Sequence, residues 1–156
     1  MLEIDEADAR ILNALQADGS LTVNSLAETV NLSTNACWRR LKRLEESGAI
    51  RKRVVLVDPD MLGMKMTVFV NLRAKNHSEG WMLTLIDAVK SIENVVEFYR
   101  IAGEIDYLIK LKLRDISDYD AVYRKLISKV DIAKITASFS MEEIIYTTSI
   151  PLKSTK

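Results

Sequence analysis

The chain has 156 residues, of which 48% are hydrophobic and 28% charged, with 22 basic and 22 acidic side chains and a net charge of zero. This composition is typical of a folded protein with a buried core, and the single cysteine and the lack of a long apolar run argue against an internal disulfide and a membrane span. The acidic start, MLEIDEADAR, does not resemble a signal peptide, so we expect a cytoplasmic protein.

The zero net charge hides a strong segregation of charge along the chain. Residues 1–38 contain one basic and six acidic side chains, whereas residues 39–53 contain seven basic and two acidic ones. A local basic segment in a balanced chain indicates a directed contact with an anion, because solubility alone does not require it.

Three helices are predicted in the first 50 residues. The segment 4–19 has apolar residues at helical spacing and stops at a glycine, and Thr22 can cap the next helix, VNSLAETV. Asn31 is a plausible left-handed break, after which Ser33 caps a third helix that ends at Gly48. After Gly48 the spacing of apolar residues changes from helical to alternating, and the stretch IRKRVVLVD predicts a strand or hairpin that follows the helix.

The rest of the chain alternates between strand and helix patterns and predicts a ferredoxin-like βαββαβ domain within an α+β protein. We place the domain boundary near residue 60, giving a winged helix-turn-helix over 1–60 and an αβ-sandwich over 61–156. Ser117 and Asp120 resemble a capping pair. The predicted strands cover 65–74, 95–103, 106–114 and 134–150, and the predicted helices cover 78–92 and 117–130.

The third helix has the two-faced pattern of a DNA recognition helix. At about 100° per residue, Leu41 and Leu44 fall beside Cys37, whereas the amide and basic side chains fall on the opposite face. Arginine and asparagine can read guanine and adenine in the major groove, and further basic residues can neutralise phosphates. The DNA-binding candidates are Ser33, Thr34, Asn35, Trp38, Arg39, Lys42 and Arg43, with Arg51 and Arg53 in a basic wing.

Other interpretations of the pattern remain open from the residues alone. A charged helix face is often only solvated, and the helices could serve assembly in a small-molecule enzyme or metabolic sensor. An architectural DNA binder without an effector is a further alternative. The sequence offers no catalytic, metal or cofactor site: Cys37 lies on the apolar face, His77 is the only histidine, and there is no phosphate-binding glycine loop.

Three stretches carry a resemblance to a known family. LSTNACWRRLKRLEESGAI resembles the recognition-helix region of the Lrp/AsnC transcription regulators, FYRIAGEIDYLIKL resembles their Gly-x-x-Asp-Tyr effector motif, and SFSMEEIIYTTSIPL resembles their C-terminal strand. The resemblance implies a dimer that can assemble into rings of eight, binds palindromic operator DNA and holds a small amino acid between subunits. The implied effector-binding residues are Arg100, Ile101, Gly103, Glu104, Asp106, Thr136 and Ser138.

Two further expectations concern the same domain. The loop from Gly103 to Asp106 could instead be a plain hairpin turn, with glycine supplying a positive φ and the acids supplying solubility. The last strand is apolar on alternate positions (Ile135, Ala137, Phe139 and Met141), and an open four-stranded sheet has a face to cover. We therefore expect the second domain to form a homodimer.

Overall fold

The computed structural model describes residues 3–152, which fold into two compact units. Of the described residues, the first unit contains 3–56 together with 145–152, and the second unit spans Val57–Ile144. The return of the last residues to the first unit is a feature that no local pattern indicated.

Three helices form the first unit: α1 (Glu6–Ala17), α2 (Val23–Thr29) and α3 (Thr34–Glu46). Thr22 and Ser33 cap α2 and α3 as expected, and Asn31 and Gly48 have the positive φ values of 53° and 77° that end the preceding helices. Asp5 caps α1 in a capping box with Asp8. Fully buried apolar side chains at the centre of this unit include Ile11, Leu26, Cys37 and Leu44.

The second unit contains β1 (Met66–Ala74), α4 (Glu79–Lys90), β2 (Val95–Arg100), β3 (Tyr107–Leu113), α5 (Ile116–Lys129) and β4 (Ile132–Phe139). The strands form one antiparallel sheet in the order β2-β3-β1-β4, which confirms the βαββαβ arrangement. Alternate residues of β1 and β3 are buried in a core with Trp81, Leu85, Val122 and Leu126 of α4 and α5. One face of the sheet is therefore covered by helices, and the other lies open.

Two predicted strands and one predicted cap differ in the structure. Residues 51–58 form no regular strand and are exposed, because no other strand of the described chain pairs with them. The last strand ends at Phe139 instead of continuing to residue 150. Asp115, rather than Ser117, caps α5, since its carboxylate accepts hydrogen bonds from the N–H groups of Ser117 and Asp118.

The C-terminal segment is held on α1 of the first unit. The Gln16 side-chain amide donates to the carbonyl oxygen of Ile150 (3.0 Å) and accepts from its N–H (2.6 Å), and Leu152 packs against the core of the three helices. A strand pattern within residues 134–150 could not reveal this contact, because it joins parts of the chain that are far apart in sequence. No helix among residues 3–152 is long and apolar enough to cross a membrane.

Candidate nucleic-acid interface and effector loop

Helix α3 separates its side chains into a buried and an exposed face. Cys37, Leu41 and Leu44 are at most 5% exposed, and the Ser33 hydroxyl accepts a hydrogen bond from the Ala36 N–H at the start of the helix. Of the candidates that helical spacing puts on the opposite face, Asn35, Arg39 and Lys42 are exposed, and Thr34 at the start of the helix is exposed as well. Helical spacing therefore predicted the exposure of Asn35, Arg39 and Lys42.

Trp38 lies on the rim of the exposed face and is 52% exposed. The Lys42 ammonium is 5.3 Å from the centre of its ring, a cation–π arrangement that orients both side chains. Val23 of α2 and Arg53 line the same shallow depression. Trp38 thus stays outside the core and remains available to a partner.

Two arginines of α3 are turned towards α1. Arg40 donates to the carboxylates of Asp5 (2.6 Å) and Asp8 (2.9 Å), and Arg43 donates to the other oxygen of Asp8. Hydrogen bonds from the Asp8 N–H and from Arg40 lower the pKa of Asp5 to about 2. Among the DNA-binding candidates, Arg43 is therefore the one with a strong partner inside its own unit. Sequence reasoning missed Asp5 and Asp8, whose only signal was their acidity at a helix start.

The basic wing consists of exposed side chains on an extended segment. Arg51 and Arg53 are both exposed, and Arg53 makes a long contact of 3.4 Å with Glu45 of α3. An ion pair of that length between exposed groups contributes little stability, so phosphates can compete for this arginine. The wing therefore keeps Arg53 near α3, although no regular strand carries it.

The β2–β3 loop is a hairpin connection tied to the neighbouring strand. The Ile101 N–H donates to the carbonyl oxygen of Asp106 (2.9 Å), and Gly103 has φ +145°, which favours glycine. The Asp106 carboxylate accepts from the Ala74 N–H (2.8 Å), while the Asp106 N–H donates to the carbonyl oxygen of Leu72 (2.9 Å). Asp106 is therefore a structural tie between this loop and β1.

The other effector candidates surround this loop. Thr136 and Ser138 on β4 pair with Asn71 and Phe69 of β1, opposite the side on which Asp106 bonds to β1. Two strand spacings separate them from the loop, or about 10 Å. Arg100 and Glu104 are exposed, and Ile101 is 38% exposed.

The alternate apolar residues of β4 face inward. Ile135 and Ala137 pack against the core of their own unit, and the ring of Phe139 lies edge-on to Tyr119 of α5 at 5.5 Å. Ile135 and Ala137 therefore do not lie on the open sheet face, which Thr136 and Ser138 occupy, and Met141 lies beyond the end of β4. Within residues 3–152, no group of three or more His, Cys, Asp or Glu side chains could hold a metal ion.

Comparison with known proteins decides the family. A model of the Lrp/AsnC ligand-binding domain matches residues 67–150, and a winged helix-turn-helix DNA-binding model matches residues 4–51. The chain belongs to the Lrp/AsnC family. As a member of that family with both parts matched, it is a DNA-binding transcriptional regulator of the Lrp/AsnC type.

Relatives and a solved structure agree with this family along nearly the whole chain. The glutamate uptake regulatory protein of Zymomonas mobilis subsp. mobilis is 45% identical over 98% of this chain and 93% of its own length. The DNA-binding transcriptional activator DecR of Escherichia coli K12 is 40% identical over 96% and 99%. A transcriptional regulator of Neisseria meningitidis, solved as a complex with L-Met, is 30% identical with a TM-score of 0.89, covering 94% and 96%. These Lrp/AsnC relatives are named as regulators, and this chain is accordingly not an enzyme.

Proposed function

We propose that this Lrp/AsnC regulator reads a palindromic operator with α3. The observation that supports the proposal most strongly is the exposed face of α3, where Asn35, Arg39 and Lys42 stand beside an accessible Trp38. Arg39 has the geometry to pair with guanine and Asn35 with adenine, whereas Lys42 and the wing arginines (Arg51 and Arg53) suit phosphates. Ser33 and Thr34 lie at the N-terminus of α3, the end that recognition helices direct at the bases.

Selection of bound duplexes from a random-sequence library, followed by gel shifts at several salt concentrations, tests this proposal. Arg39→Ala should weaken binding to the selected site by about 1–3 kcal/mol and relax base preference. Lys42→Ala should weaken binding to all sequences and reduce the slope of log K against log salt concentration by about one. Arg124→Ala, an exposed arginine on α5, is the matched control and should bind as the wild type does. If the wild type selects no sequence and binds no DNA at low salt, the proposal fails.

We further propose that a small amino acid acts as the effector and binds near the β2–β3 loop. Support comes from the match to the Lrp/AsnC ligand-binding domain and from the neisserial relative solved with L-Met. N–H groups exposed around Gly103 suit a carboxylate, and Glu104 or the remaining carboxylate oxygen of Asp106 suits an ammonium. Arg100, Ile101, Thr136 and Ser138 would complete the site together with a second subunit. A thermal-shift screen of the twenty amino acids tests it, since a ligand of the folded state must raise the melting temperature.

The regulator is proposed to be a homodimer that can assemble further, up to rings of eight. The open sheet face supports a second copy as its cover, because antiparallel sheets bury one face on their own core and leave the other to solvent or a partner. The extended segments on either side of the second unit add support: Val55 is 87% exposed and Ile145 is 83% exposed. Apolar side chains so exposed on neighbouring positions are unusual in a monomer. Action on DNA also fits the cytoplasmic location expected from the sequence.

A further inference from the structure

Asp8 is the only charged side chain that is fully buried among residues 3–152, and it lies between α1 and α3. One of its oxygens accepts from Arg40 and the other accepts from both Arg43 and the N–H of Asp5. A carboxylate removed from water must be compensated by partners, and leaving it unpaired is strongly destabilising. The folded state therefore holds these two guanidinium groups at α1.

This pairing divides the basic residues of α3 and the wing into two groups. Arg40 and Arg43 are bound to acids of α1, and their side chains are 32% and 48% exposed. Arg39, Arg51 and Lys52 have no ion-pair partner among the residues that the structure describes. The ion pairs that Lys42 and Arg53 make with exposed glutamates are long, at 3.7 Å and 3.4 Å, and Lys42 also lies over the ring of Trp38. The basic segment thus presents fewer cations to DNA than its sequence suggests.

We propose that Asp8 is a positioning residue for DNA recognition, which withholds Arg40 and Arg43 from the phosphates and fixes α3 against α1. The proposal rests on the DNA-binding function proposed above and adds how the sequence-independent part of the affinity is limited. Phosphate contacts strengthen binding to every sequence alike, so two withheld arginines lower non-specific affinity without loss of base reading. Arg39 is then left as the arginine of α3 that reads bases.

Salt dependence of binding provides the test, because the slope of log K against log salt changes by about 0.9 for each phosphate contact. The probes are the duplex selected from the random library and a scrambled duplex of equal length, titrated with the full-length protein. Asp8→Asn removes the charge but keeps the shape, and should steepen the slope on both duplexes by roughly one to two as the arginines reach phosphates. The ratio of selected to scrambled affinity should stay nearly constant, because an added phosphate contact strengthens binding to both duplexes alike.

Two further variants separate release of arginines from other effects. Asp18→Asn removes the same charge from an exposed residue whose carboxylate accepts hydrogen bonds from Ser20, and should leave the slope unchanged. Asp8→Asn combined with Arg43→Gln should recover about one unit of slope, since one released arginine is then absent. If Asp18→Asn steepens the slope as much as Asp8→Asn, net charge explains the effect and the proposal is overturned.

A single substitution keeps the proposal testable even if Asp8→Asn does not fold. Arg43→Gln should leave the wild-type slope unchanged if Asp8 withholds Arg43, whereas Arg51→Gln should flatten it by about 0.9. A flattened slope for Arg43→Gln would mean that Arg43 contacts a phosphate and would overturn the proposal. Binding of wild-type protein to the selected duplex is measured in the same series, so a failure of DNA binding itself is seen separately.

Discussion

Replacement of Asp106 by alanine should loosen the β2–β3 loop from β1. The change removes the carboxylate that accepts the Ala74 N–H at 2.8 Å and leaves that half-buried group without its partner. A hydrogen bond to a charged group contributes about 1.5–3 kcal/mol. In a unit of this size, 1 kcal/mol corresponds to a shift of roughly 4–8 °C in melting temperature, so we expect a loss of at least about 6 °C.

Asp106→Asn is the matched variant that separates this structural role from effector binding. The amide oxygen can still accept the Ala74 N–H, so the cost should stay below about 1 kcal/mol, as for a bond between neutral groups. The negative charge is lost, and the proposed ammonium contact with it. Asparagine should therefore keep most of the stability and lose most of the amino-acid response, whereas alanine should lose both.

Thermal denaturation of the full chain, with and without each amino acid, measures both effects. Calorimetry with the most effective amino acid then gives its affinity for each variant. If Asp106→Ala melts as the wild type does, the bond to Ala74 does not stabilise the loop and the reasoning fails. If either variant binds the effector as tightly as the wild type, the loop is a hairpin connection without a role in recognition.

Three more predictions concern stability and assembly. Leu44→Ala, at a fully buried site, should destabilise the first unit by about 2.7–5 kcal/mol. Differential scanning calorimetry should show the first unit unfolding at a lower temperature while the sheet of the second unit remains folded, and an unchanged thermogram would refute the prediction. The pKa of Asp5 in the folded state lies near 2, below the ordinary 3.8, so its contribution to the free energy of unfolding is present above about pH 4 and is lost as pH falls towards 2. The melting temperature of Asp5→Asn should therefore fall less between pH 4 and pH 2 than that of the wild type. The same fall in both proteins would contradict the pairing of Asp5. Light scattering on the full chain at micromolar concentration should report a dimer or a larger even-numbered assembly, whereas a clean monomer would exclude the proposed interface between copies.

The sequence alone determined the five helices, the order of the four sheet strands along the chain and the outward face of α3. Helical spacing placed Leu41 and Leu44 inward and Arg39 outward, because apolar and charged residues alternate along the sequence with the period of a helical turn. Caps and left-handed breaks at Thr22 and Asn31 were also readable, since they depend on residues within one turn. The order of strand and helix patterns gave the βαββαβ fold, because few topologies accommodate that order.

Only the tertiary structure showed which of the candidate side chains already form ion pairs or hydrogen bonds within the chain. Arg43 and Arg39 look alike in the sequence, but only Arg43 reaches a buried carboxylate, which lies 35 residues away. Asp106 matches an effector motif, yet one of its oxygens is taken by a backbone N–H of β1. Gln16 holds Ile150 across 134 residues of sequence. The periodicity of a segment shows which face of its own helix or strand a side chain lies on. Which side chains form ion pairs and hydrogen bonds depends on which helices and strands pack together, and that is a property of the whole fold.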